Sequence, residues 1–332
     1  MHTFPVAGRR LWGARGWLIT DGKAGMDMQV EGVAEALGLS HETKRVAPIG
    51  FWKMAAPWGP VAPGERFGKP GSLFAPPWPA VALATGRASI PYIRALRRRA
   101  GSATYCVVLQ DPRTGPDIAD LIWVPEHDRR RGPNVIATLT APHTFSPARL
   151  AGLRREVPPA IAALPGPRVM VALGGKTGAY RFEQSDDDRL AAALAAMAGL
   201  EVSFMITASR RTHPHLMQAV DRATAMRPRH VWSGTGANPY ADFLAHADVL
   251  VVTADSVNMT GEACATGRPV YVFEPECGSA KFRRFHEALR ARGATRLLPP
   301  RMTALETWTY EPLDAAAAIA AEIERQVSAI AK

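Results

Sequence analysis

A chain of 332 residues, 47% of them hydrophobic, is long enough for two domains with separate cores, which excludes disorder as the default state. Its three cysteines, Cys106, Cys264 and Cys277, are odd in number and far apart; they fit a reducing cytosol and exclude a disulfide framework or paired metal motif. The net charge of +10 is uneven, because residues 1–166 carry 21 basic against 12 acidic side chains and residues 167–332 carry 19 against 18.

The basic first half implies either plain solubility or an anionic partner: a membrane surface, a nucleic acid or a phosphorylated substrate. Nucleic acid is set aside, since the clusters IRALRRRAG and HDRRRG stand apart without interleaved aromatics to stack on bases. No segment approaches the roughly 18–20 uninterrupted apolar residues of a membrane-spanning helix. The arginine-bearing N-terminus MHTFPVAGRRLWGARG lacks the apolar core of a secretory signal.

In chain order, GWLIT (16–20) predicts a buried strand. A glycine-containing turn at Asp21–Gly25 follows, then an amphipathic helix with Val30, Val33, Ala34 and Leu37 on one face. Such a corner is common, yet its glycines also admit a ligand to the backbone beside a helix N-terminus that favours anions. Residues 51–79, rich in proline, glycine and aromatics, exclude a regular helix or central strand. With Trp52, Trp58 and Trp78, this insertion is either an interfacial or acceptor-binding loop or one packed on its own domain. AVALAT (80–85), YCVVLQ (105–110) and DLIWVP (120–125) continue the strands, and the proline-rich LRREVPPAIAALPGPR (153–168) reads as a domain linker.

A second series comprises RVMVALGG (168–175), EVSFMIT (201–207), HVWSG (230–234), DVLVVTAD (248–255) and PVYVFEP (269–275). Apolar runs alternating with helical patterns predict parallel strands joined by crossover helices, with ligands at the strands' carboxyl ends. The alanine-rich stretch 313–332 predicts a C-terminal helix able to pack back across the linker.

Three loops of the second series carry candidate chemistry. In VALGGKTGAYRF (171–182), Gly175-Lys176-Thr177 imitates the end of a Walker A loop, but Met170 stands where its earlier glycine belongs. What remains is a glycine turn offering Lys176 and backbone N–H groups to an anion. In MITASRRTHPH (205–215), Arg210 and Arg211 can clamp phosphate oxygens, whereas His213 and His215 lack a third metal ligand. In TADSVNMTGEACATGRPV (253–270), a helix starting after Ser256 sets Asn258 and Glu262 one turn apart on one face, beside Asp255. Capping alone explains Ser256. A carboxylate such as Glu262 can instead accept the vicinal hydroxyls of a ribose, with Thr253 and Ser256 adding donors.

The segments ITDGKAGMDMQ, VLQDPR, VPEHD, LGGKTGAYR, ITASRRT and VTADSVNMTGEACATGRPVYVFEP together resemble the elongated-mitochondria (ELM) family. Its plant members are linked to mitochondrial fission, and its bacterial members are regarded as candidate glycosyltransferases. The resemblance implies a GT-B-like α/β fold of two Rossmann-like domains facing a cleft: an acceptor domain at 1–160, a nucleotide-sugar donor domain at 167–312 and a closing helix at 313–332. It further implies metal-free transfer with no cofactor beyond the donor, to a glycan or lipid-linked acceptor. The Asp186-Asp187-Asp188 run reads as helix capping, and no metal site is expected.

Carried onto this sequence, the resemblance puts Gly175, Lys176, Thr177 and Gly178 at the diphosphate, with Arg210 or Arg211 neutralising it. Thr253, Ser256 and Asn258 would hold phosphate or ribose, and Glu262 the ribose hydroxyls. Asp21 is the first choice of general base, with Glu126, His127 and Asp128 behind it; where the peptidoglycan GlcNAc transferase has a histidine in its glycine-rich first loop, this chain has Asp21 and Lys23. A cytoplasmic protein in peripheral contact with an anionic inner membrane face is the expectation. Two alternatives are a nucleotide-sugar epimerase of the same architecture and a non-catalytic recruitment scaffold.

Overall fold

The structure is a computed structural model that describes residues 10–232 and 234–330. The first nine residues, more than half of the stretch weighed as a secretory signal, and residue 233 of the run HVWSG lie outside the described residues. The chain divides into two compact units, Met1–Ser146 with Asp314–Lys332, and Pro147–Leu313.

In the first unit, β1 (Arg15–Thr20), α1 (Ala24–Leu37), β2 (Ser40–Arg45) and α2 (Gly50–Ala55) are followed by β3 (Val81–Thr85), α3 (Ile90–Ala100), β4 (Tyr105–Leu109), β5 (Leu121–Pro125) and β6 (Val135–Thr138). The second unit runs through α4 (Pro147–Arg154), α5 (Pro159–Ala162), β7 (Arg168–Leu173), α6 (Gln184–Ala198), β8 (Ser203–Ala208), α7 (Pro214–Thr224) and β9 (Arg229–Val231). It continues with α8 (Tyr240–His246), β10 (Val249–Thr253), α9 (Val257–Cys264), β11 (Val270–Phe273), α10 (Ala280–Ala291) and β12 (Thr295–Leu297), and α11 (Ala315–Ile330) returns the chain to the first unit.

Each unit holds one parallel six-stranded sheet, ordered β2-β1-β3-β4-β5-β6 in the first and β12-β11-β10-β7-β8-β9 in the second. This is the α/β, Rossmann-like architecture expected from the alternating pattern. Strands buried on both faces need apolar residues at every position, and β3, β4 and β10 are buried throughout. In the first unit, successive residues of β1 feed opposite faces: Leu18 joins the core shared with α1 and α11, whereas Trp17 and Ile19 join the core under α3. Helix α1 buries Val30, Val33, Ala34 and Leu37 as its periodicity required, and Gly38 ends it in the left-handed conformation at φ 68°.

Three departures from the sequence reading have plain causes. Strand β2, SHETKR, carries no apolar run because it is an exposed sheet edge, where charges discourage further pairing. The proline-rich stretch 153–168 is no linker: Ile161 is buried, and Arg154 donates from Nε to the Ala245 carbonyl at 2.9 Å, so the chain divides at Ser146 and residues 147–160 belong to the second unit. The insertion 51–79 contains a short helix, α2, before its prolines begin. Its aromatics divide: Phe67 and Phe74 stack at 4.7 Å and Phe74 meets Trp17 edge-on in the core, while Trp58 stays 64% exposed.

The C-terminal helix packs on α1. Glu324 accepts the Leu11 N–H at 3.1 Å, and the Tyr105 hydroxyl donates to Gln326 Oε1 at 2.7 Å. The acid run at 186–188 opens α6, where Glu183 and Asp186 form a reciprocal capping box.

Candidate functional site

In a doubly wound sheet, ligands settle where successive connections leave in opposite directions, because the diverging loops open a crevice there. In the second sheet the reversal falls between β7 and β10. The loops that leave these two strands are GGKTG and the turn into α9.

These loops are joined by one buried carboxylate. Asp255 Oδ2 accepts the Gly175 N–H at 3.0 Å and the Arg211 guanidinium at 2.8 Å, and Oδ1 accepts the Thr253 hydroxyl at 2.7 Å. Thr253 Oγ1 in turn accepts the Gly174 N–H at 2.7 Å. From the β8 loop, Thr212 Oγ1 donates to the Leu173 carbonyl at 3.0 Å. Burial pushes the Asp255 carboxyl above its ordinary range, against the opposing pull of Gly175, Thr253 and Arg211. Three loops are thereby fixed at one sheet edge, with the Arg211 side chain about half exposed above them.

The glycines follow from this packing. A Cβ on Gly174 would overlap the Asp255 carboxylate, and one on Gly175 would overlap the Arg211 carbonyl oxygen, both closer than 3.0 Å. Gly178 has open space around it. Lys176 and Gly178 are exposed, while Thr177 Oγ1 closes its own turn by accepting the Ala179 and Tyr180 N–H groups at 3.2 and 3.1 Å.

Ser256 caps α9 by accepting the Met259 N–H at 3.3 Å, and Asn258 is exposed one residue into the helix. Glu262, a turn deeper, is only 5% exposed and accepts the Tyr240 hydroxyl at 2.5 Å. Burial raises its carboxyl from 4.5 to about 7, partly opposed by that hydrogen bond. Burial, with Glu262 beside it, raises the Tyr240 hydroxyl well above its ordinary value. Tyr240 was not singled out in the sequence, for an isolated tyrosine that opens a short helix after a Gly/Asn/Pro loop carries no periodic signal. Arg210 departs from Arg211: it lines a neighbouring cavity of about 590 Å³ with Met217, Asp221 and Trp232. His213 caps α7, its Nδ1 accepting the Leu216 N–H at 3.2 Å.

The first sheet reverses between β1 and β3. Asp21 follows β1 directly; its Oδ2 pairs with Lys23 at 2.6 Å, and its Oδ1 is buried without a hydrogen-bond partner. Glu126, His127 and Asp128 follow β5, three strand positions from β1, which at the spacing of paired strands is roughly 14 Å away. The four acid–base candidates therefore do not form one cluster. There Glu126 donates its N–H across to the Thr138 carbonyl of β6 and Asp128 its N–H to the Pro125 carbonyl, both at 2.9 Å, the second closing a turn that includes His127.

Among solved structures, the UDP-GlcNAc 2-epimerase of Methanocaldococcus jannaschii is similar in fold, with a TM-score of 0.53 over 96% of this chain and 99% of that one at 10% identity. MurG of Acinetobacter baumannii gives a TM-score of 0.48 over 96% and 91% at 13% identity. By sequence, the mitochondrial fission protein ELM1 of Arabidopsis thaliana is 30% identical over 275 residues, 76% of this chain and 64% of that protein. The uncharacterized protein RP120 of Rickettsia prowazekii is 32% identical over 124 residues, covering 36% and 35% of the two chains. The chain thus spans under two thirds of the length of either relative. The model of the family described as mitochondrial fission ELM1 matches residues 24–327, and the chain belongs to that family.

Proposed function

We propose that the chain is a metal-independent glycosyltransferase that moves a sugar from a nucleotide-diphosphate donor to an envelope or lipid-linked glycan acceptor. The observation that carries this reading is the convergence of Gly175, Arg211 and Asp255 at the β7/β10 reversal. The exposed residues Lys176 and Gly178, with Arg211, offer donors and positive charge to a diphosphate, while the Thr177 N–H is taken by the Tyr180 carbonyl. Ser256 and Asn258, at the start of α9, are assigned to phosphate or ribose, whereas the buried Thr253 hydroxyl is spent on Asp255 and Gly174 and holds the loops instead. Glu262 is assigned to the ribose hydroxyls, exchanging Tyr240 for them. The cavity beside Arg210 has room for a nucleobase against Trp232.

In the transfer step, an acceptor hydroxyl oxygen bonds to the anomeric carbon as the bond from that carbon to the diphosphate breaks. The hydroxyl proton passes to a carboxylate, and the diphosphate leaves with the electron pair, its charge met by Arg211 and Lys176. Asp21 is assigned as base, because its orphaned buried Oδ1 lacks the donor that an acceptor hydroxyl supplies.

Thermal-shift titration with UDP, GDP, CMP, dTDP and ADP, with and without a divalent metal, tests the reading. One nucleotide is expected to raise the melting temperature without metal, and Arg211→Ala is expected to weaken that nucleotide about ten-fold through loss of a charge-assisted contact. No shift with any nucleotide would leave the recruitment scaffold as the better reading. Interconversion of a sugar nucleotide in the absence of acceptor would mark an epimerase.

A further inference from the structure

The first unit contains a groove of about 1160 Å³ that neither the strand-end site nor Asp21 uses. Its apolar lining includes Trp58, Val61, Phe67 and Pro91, from the insertion and from α3. Arg66 and Lys69 of the insertion and Arg98 and Arg99 of α3 line it as well, and no carboxylate does. Among the described residues none of these four cations sits in an ion pair, whereas Arg97, their neighbour on α3, is matched to Asp120. The Arg99 guanidinium lies 5.0 Å from the Phe67 ring centre. Glu65, beside Arg66 in the chain, accepts the Tyr92 hydroxyl at 3.2 Å, and Asp117 acts on Arg94 and Arg97.

Helix α2 adjoins this groove through Trp58 and buries none of its own residues. Ile49, Phe51, Met54 and Trp58 are 64–79% exposed, and large apolar side chains collected at one surface mark an interaction site. Their backbone is fastened from below. Arg87 donates to the carbonyls of Ala56 and, at 2.6 Å, Met54, while Arg94 donates to those of Pro57 at 2.6 Å and Trp58 at 2.8 Å. An anchored apolar projection beside unpaired cations complements a surface that is hydrocarbon beneath and phosphate above.

We propose that this face docks on a bilayer of anionic phospholipid, with Arg66, Lys69, Arg98 and Arg99 taking headgroup phosphates and Phe51, Met54 and Trp58 entering the interface. The inference is independent of the nucleotide reading, since it uses none of the strand-end residues.

Sedimentation of the full chain with vesicles tests it. Binding is expected to vesicles containing phosphatidylglycerol, not to phosphatidylcholine alone, and is expected to weaken as salt rises. Arg98→Glu with Arg99→Glu should lower the partition coefficient at least about thirty-fold, the loss expected for two cations near a charged surface. Phe51→Ser with Met54→Ser should also release the protein, and Arg292→Glu, an exposed charge change just after α10, should not. Melting temperatures of all variants should match the parent, because the altered side chains are exposed; their nucleotide thermal shifts should also be unchanged. Equal binding to both vesicle types, no binding to either, or binding indifferent to the groove variants overturns the proposal. Stabilisation by inorganic phosphate without vesicle binding overturns it in favour of a soluble anion, and capture of an acidic protein without vesicle binding overturns it in favour of a protein partner.

Discussion

Gly175→Ala is expected to lower the melting temperature by roughly 10 °C, while Gly178→Ala, three residues later in the same loop, leaves it unchanged. The Gly175 Cβ would land on the Arg211 carbonyl oxygen, a backbone atom that cannot rotate aside, whereas a Cβ at Gly178 meets nothing within 4 Å. Relieving the overlap means moving the β7 loop off Asp255, which costs about 3 kcal/mol, and in a domain of this size each kcal/mol is worth about 2–4 °C. Gly174→Ala belongs with Gly175→Ala, since its Cβ falls on the Asp255 carboxylate. Calorimetry of the three variants checks this; equal stability for all would show that the loops are not interlocked. Nucleotide titration of Gly178→Ala adds a second readout. If the diphosphate approaches the backbone there, affinity falls although the melting temperature does not, so fold requirement and ligand requirement separate along one glycine run.

Glu262→Gln is expected to stabilise the protein at pH 8 and to leave it almost unchanged at pH 4. The folded-state value of Glu262, about 7, lies above its ordinary 4.5. A group raised on folding contributes stability that is present below the unfolded value and lost as pH rises through the folded one, so this contribution disappears between 4.5 and about 7. The full loss is about 3 kcal/mol. Glutamine keeps an oxygen for the Tyr240 hydroxyl without a charge to bury, so the variant should lack this pH dependence. Urea unfolding at both pH values checks the expectation, and identical pH profiles for parent and variant would refute it. The same substitution tests the ribose assignment: a neutral amide is a weaker acceptor for hydroxyls, so nucleotide affinity should fall while stability rises.

Much of the candidate site was legible because its chemistry is local. DVLVVTADSVNMTGEA encodes strand, cap and helix within a few residues, so the apolar run, Ser256 as cap and Glu262 one turn past Asn258 could be placed from spacing alone, but not the burial of Glu262 against Tyr240. The same holds for α1, whose apolar face shows at helical period, and for the glycine turn after β7. Edge strand β2 and the true boundary at Ser146 were not legible, since an edge strand needs no apolar run and a proline-rich segment looks alike whether free or packed. Nor does a sequence distinguish Arg210 from Arg211, or foretell that Asp255 joins residues 44 and 80 positions away. Here the local pattern alone determined the α/β alternation and which loops end the strands. Strand order was decided only by tertiary packing, and with it the reversal between β7 and β10, because long-range pairing depends on how whole elements bury their faces against one another.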